Sequence, residues 1–70
     1  MAMHELIING ETVQVPEAVT TVSQLLAHFG LERKIVIVEI NANIVDRGLQ
    51  ETTAVRSGDR IELVHFVGGG

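Results

Sequence analysis

Three glycines, Gly68-Gly69-Gly70, close the sequence directly behind an apolar stretch that ends at Val67. The group of chemical interest there is the main-chain carboxylate of Gly70. Glycine carries no side chain and adopts backbone conformations closed to other residues. Such a tail can therefore thread a channel that admits only backbone. Three extended residues reach ~10 Å beyond the body that carries them. A carboxylate is a poor electrophile until it is activated. Reaction with ATP gives an acyl-adenylate, which a sulfur or amine nucleophile can attack. The chain has no phosphate-cradling glycine loop of its own, so the expectation is a substrate of an activating enzyme and not an enzyme. Taken alone, three glycines are equally well a loose end without a task.

Other side chains offer little chemistry. His4, His28 and His65 are scattered, and half-buried or surface histidines commonly have no catalytic or ligand role. Asp46, Glu51, Asp59 and Glu62 read as surface and turn carboxylates, with Asp59 explained by the turn at Ser57-Gly58-Asp59. Neither metal nor cofactor is expected. Cysteine is absent from the 70 residues, which excludes disulfides, thiolate metal sites, thiol catalysis and side-chain persulfides. If the chain carries sulfur, the terminal carboxylate is the evident place. The lone lysine, Lys34, leaves little scope for isopeptide chains.

Composition bounds the remaining classes. Seventy residues at 46% hydrophobic and 20% charged make one small globular domain. With net charge -4 and five cationic side chains, nucleic acid is not an expected partner, whereas a basic protein surface would be steered toward it. No apolar run approaches the ~20 residues of a membrane-spanning helix. The start lacks the basic-then-apolar opening of a signal peptide. The absence of cysteine fits a cytoplasmic setting, which is the expectation.

The body that must present the tail is legible as a series of elements. His4 to Ile8, Asn9-Gly10 and Glu11 to Val15 form a hairpin signal, because a type I′ turn needs positive φ at both central positions. A two-residue loop pairs Ile8 with Glu11, Leu6 with Val13 and His4 with Val15. Leu6, Ile8, Val13 and Val15 then share one face. Pro16 ends the second strand. Thr21 with Gln24 makes a capping box, and Val22, Leu25, Leu26 and Phe29 form one apolar helical stripe. Gly30 suits the left-handed position past the helix, with Leu31 packing back in a Schellman motif. Ile35-Val36-Ile37-Val38 reads as an inner strand covered on both faces or nearly so. Asn41-Ala42-Asn43 turns, and Ile44-Val45 is a brief return. Asp46 to Thr53 is expected to be irregular, anchored by Leu49. Arg60 to Val67 is the last strand.

This order predicts an α+β fold, a ubiquitin-like β-grasp with a mixed four- to five-stranded sheet and one helix packed on one face. Residues 1–67 would form the domain and 68–70 a flexible glycine tail. In the last strand Ile61, Leu63, His65 and Val67 alternate with Glu62, Val64 and Phe66. If Ile61 and Leu63 face the helix, Val64 and Phe66 point away beside the tail, as an apolar docking patch with an acidic rim.

Ser57-Gly58-Asp59-Arg60-Ile61-Glu62-Leu63-Val64 leading to Phe66-Val67-Gly68-Gly69-Gly70 resembles the end of the ThiS family, the sulfur carriers of thiamin biosynthesis. Ile7-Ile8-Asn9-Gly10-Glu11 and Val38 to Val45 are similar as well. The resemblance implies adenylation of Gly70 by an E1-like (ThiF-like) activating enzyme. Conversion to a thiocarboxylate follows, with sulfur drawn from cysteine by a desulfurase. A ThiG-like thiazole synthase then consumes the sulfur. It implies Gly69 as the other member of the terminal pair and Gly68 as an additional glycine. Partner binding is expected, from the strand pattern and not from the resemblance, at Phe66, Val64 and Val67. The loop Asp46-Arg47-Gly48-Leu49 departs from the family pattern, lacking its proline and aromatic residue. Two alternatives remain open on the residues: the small subunit of molybdopterin synthase, which uses the same tail chemistry, and a regulatory or RNA-binding β-grasp module.

Overall fold

The computed structural model describes residues 2–65; Phe66, Val67 and the three glycines lie outside the described residues. The chain runs β1 (Met3–Ile8), β2 (Glu11–Pro16), α1 (Val22–His28), β3 (Val36–Ile40), β4 (Asn43–Val45), a 3-10 turn (Arg47–Leu49) and β5 (Arg60–His65). The strands form one mixed five-stranded sheet in the order β2-β1-β5-β3-β4. This is the expected β-grasp. Its first and last strands lie side by side and parallel, and every other strand pair is antiparallel.

The β1–β2 hairpin has the expected register, Ile8 opposite Glu11, Leu6 opposite Val13 and His4 opposite Val15. Its turn places Asn9 at φ 50° and Gly10 at φ 83°, the left-handed pair that a type I′ turn demands. Leu6, Ile8 and Val15 are buried beneath the helix, and Val13 is half-buried at the edge of the core.

Helix α1 is only seven residues long, too short to persist alone, so its ends and its packing must hold it. The Thr21–Gln24 capping box is formed: the Gln24 N–H donates to Thr21 Oγ1 at 3.2 Å, and Gln24 Oε1 accepts from the Thr21 N–H at 3.2 Å. Loop carbonyls take the next free donors, Val22 N–H to Thr53 O at 3.0 Å and Ser23 N–H to Gln50 O at 2.9 Å. At the other end the Leu31 N–H donates to Leu26 O at 2.8 Å and the Gly30 N–H to Ala27 O at 3.0 Å, with Gly30 at φ 73°. That is the Schellman closure. Val22, Leu25 and Leu26 are buried on the sheet; Phe29 caps the helix at 39% exposure, so the expected stripe thins at its last member.

Two expectations require correction. β3 is an inner strand but is covered on one face only: Val36 and Val38 are buried, while Ile37 is 43% exposed and Ile35, just before the strand, is 65% exposed. A single helix can shield only one side of the sheet. Nor does Leu49 anchor the loop by its side chain, which is 53% exposed. Its carbonyl does the work instead, accepting from the Thr53 N–H at 2.9 Å and from Thr53 Oγ1 at 2.7 Å. The apolar anchor of this segment is Val55, 2% exposed, whose N–H donates to Thr20 O at 3.0 Å.

Candidate functional site

β5 carries the chain toward the glycines, and both of its flanks are gripped. On one side it pairs with β3 from Ile61 opposite Ile40 to His65 opposite Val36. On the other the parallel ladder with β1 is short, only Ile7 opposite Arg60 and Ile8 opposite Ile61. Main-chain bonds from the Ile7 N–H to Asp59 O at 3.0 Å and from the Asn9 N–H to Ile61 O at 2.9 Å hold that ladder. Two asparagines at left-handed turn positions extend the grip. Asn41, at φ 51°, accepts from the Arg60 N–H on Oδ1 at 3.0 Å and donates from Nδ2 to Asp59 Oδ1 at 3.1 Å. Asn9 accepts from the Leu63 N–H at 2.9 Å and donates to Leu63 O at 3.1 Å.

Alternation along β5 is as expected from sequence. Ile61 and Leu63 are buried against the core, and Glu62 and Val64 face outward. Val64 is 51% exposed and stands directly opposite Ile37 on β3. One rung further along the same face Glu62 stands opposite Glu39, which in turn faces Ile44 of β4, 70% exposed. The outer face thus holds an apolar pair bordered by carboxylates. Like charges opposite one another cost the free sheet a few tenths of a kcal/mol, up to ~1. Ile37 and Ile44 were missed as members of this face, although the alternation of β3 against β5 could have found Ile37.

His65 lies on the inner side instead. There a groove of about 480 Å³ opens between the hairpin turn and the end of α1, lined by Ile8, Val13, Phe29, Leu31, Leu63 and His65. The remaining candidates, Phe66, Val67, Gly68, Gly69 and Gly70, follow His65 outside the described residues. Among the described residues no group of three His, Asp or Glu side chains is placed to hold a metal ion. The described histidines are dispersed: His4 Nε2 lies 3.1 Å from Glu17 O, and His28 packs edge-on against Phe29. No described helix is long and apolar enough to cross a membrane.

A family model described as ThiS family matches residues 4–70, nearly the whole chain and the glycine end with it. The chain belongs to the ThiS family. Sulfur carrier protein ThiS of Bacillus subtilis is 43% identical over 63 residues, 90% of this chain and 96% of that one. The crystal structure of thiamine biosynthesis protein ThiS from Geobacter metallireducens superposes with a TM-score of 0.77 at 32% identity, covering 94% of this chain and 99% of that one. A protein named thiazole synthase from Paramagnetospirillum magneticum is 41% identical over 66 residues, 94% of this chain but only 20% of its own length. A second thiazole synthase, from Magnetococcus marinus, matches at 41% over 63 residues and 19% of its length. This ThiS-family chain is therefore a small sulfur carrier of thiamin biosynthesis and not a catalyst. The membership favours that role over a molybdopterin synthase subunit or a β-grasp binding module.

Proposed function

We propose that this ThiS-family chain carries sulfur as a thiocarboxylate on Gly70. The Gly70 carboxylate oxygen attacks the α-phosphorus of ATP, pyrophosphate leaves, and an acyl-adenylate results. A persulfide sulfur delivered by the desulfurase then adds to the acyl carbon and displaces AMP, and a thiol reductant cleaves the resulting acyl disulfide to leave the Gly70 thiocarboxylate. The observation that carries this is a family match running through to Gly70, in a sequence of 70 residues without cysteine. Gly69 and Gly68 give the backbone a slim approach to the activating site. Val64, with Phe66 and Val67 beyond it, presents the apolar contact to the enzymes that charge and discharge the tail. An E1-like activating enzyme fits the first step, and a cysteine desulfurase fits the supply of sulfur to the second. A thiazole synthase fits the last, and the segments like this chain within proteins of that name support it.

Intact mass spectrometry after incubation with ATP, cysteine, a thiol reductant, an E1-like activating enzyme and a cysteine desulfurase tests the proposal. The expected product is heavier by the difference between one sulfur and one oxygen atom, with the change confined to the C-terminal peptide. A chain lacking Gly70 is expected to remain unmodified. An unmodified parent chain, alongside a control carrier that the same enzymes convert, overturns the proposal.

A further inference from the structure

Asn9 sits where β1 gives out. The strand ends at Ile8, the turn residues Asn9 and Gly10 take φ 50° and 83°, and the chain departs into β2. β5 continues past that point for four residues beyond Ile61, to His65, without a β1 rung opposite. Unpaired main-chain groups at this level would be left to water or to a side chain. The Asn9 carboxamide supplies the missing rung. It mimics a peptide unit, meeting both polar main-chain groups of Leu63 at 2.9 and 3.1 Å. These are part-buried bonds between residues 54 positions apart, so they tie the first turn of the chain to its last strand.

The tie lies at a telling place. Leu63 is buried at 9% and is the last core residue of β5. Val64 and His65 follow, and among the described residues their ladder partners, Ile37 and Val36, lie on the β3 side only. Among the described residues, Asn9 thus marks the final point at which β5 is held from both sides. Its turn conformation does not itself require a carboxamide, since glycine adopts the same positive φ without strain.

We propose that Asn9 is a positioning residue for tail presentation. By clamping Leu63 it fixes the origin and direction from which the C-terminal residues leave the body, and so raises the fraction of encounters in which the Gly70 carboxylate meets the activating site. This rests on Gly70 as the reacting end. Small errors in placing a reacting group cost large factors in rate. Loss of the clamp should therefore lower kcat for adenylation, while KM, set by contact of the body with its partner, changes little.

The test compares Asn9→Gly with Asn41→Gly. Both retain a turn that accepts glycine, and both remove a side-chain tie to β5, one at its exit and one at its start. Adenylation is followed by ATP-dependent pyrophosphate release at a temperature where both variants are folded. Asn9→Gly is expected to lower kcat about tenfold with KM within about twofold. Asn41→Gly is expected to leave kcat within about twofold of the parent chain, because β5 remains clamped at its exit. Amide exchange on the isolated carriers provides a readout independent of any enzyme. Leu63, Val64 and His65 should lose protection in Asn9→Gly, with Leu6 and Val38 unchanged. Equal loss of kcat in both variants, or unchanged protection at Leu63 in Asn9→Gly, overturns the inference. A parent chain that is not adenylated at all sinks the role of Gly70 instead, and the exchange measurement still decides whether Asn9 holds the strand end.

Discussion

Ile37 and Val64 face each other across the β3–β5 ladder with both side chains turned to solvent, 43% and 51% exposed. An apolar cross-strand pair on the uncovered side of a sheet adds little to the fold. The proposed docking through Val64 would give that area a use.

Replacing both residues by threonine tests this. Threonine keeps the β-branched shape that suits a strand and removes the apolar surface. The expected loss of affinity for the activating enzyme is about tenfold, ~1.4 kcal/mol, by titration calorimetry. Stability should move by no more than ~0.5 kcal/mol per site. A large fall in Tm with affinity intact would assign the pair to the fold and not to docking.

Ala42 occupies φ 72° in the β3–β4 turn, a conformation that costs a side-chain-bearing residue ~1–2 kcal/mol. Glycine adopts it freely but loses more chain entropy, ~0.5–1 kcal/mol, on folding. Ala42→Gly is therefore expected to be stabilising by about 0.5–1 kcal/mol, which raises Tm by several degrees in a domain of this size. Thermal unfolding followed by circular dichroism reads it directly, and a lowered Tm would refute the strain.

The segment between β4 and β5 separates two kinds of anchor. Val55→Ala opens space in a site that is 2% exposed and should cost about 2 kcal/mol. Leu49→Ala leaves the carbonyl that binds Thr53 in place and should cost less than ~0.5 kcal/mol. Urea titration of the two variants distinguishes them, and an equal loss would contradict the structure.

Where local chemistry leaves one solution, the sequence was enough. Asn9-Gly10 set the hairpin and its register, because two consecutive left-handed residues admit one turn type. Thr21, Gln24, Gly30 and Leu31 set both helix ends through bonds a few residues apart. The alternation of Ile61 and Leu63 with Glu62 and Val64 gave the two faces of the last strand. Burial that depends on distant partners was harder to foresee. Ile35 and Ile37 read as buried because they are β-branched and contiguous with Val36 and Val38, yet one helix leaves the second face bare. Leu49 reads as the anchor because it is the apolar residue within 46–53, while the Thr21–Ala54 bridge draws Val55, just beyond that segment, into the core. The clamp from Asn9 to Leu63 spans 54 positions and leaves no local trace.

β1 and β5 come from opposite ends of the chain, yet they are hydrogen-bonded neighbours at the centre of the sheet. A molecule whose N-terminal strand has frayed, or has yet to dock, loses the partner that steadies its final strand. On the proposed reading, ATP-dependent charging would favour chains whose β1 is docked, because those hold the start of β5 from both sides.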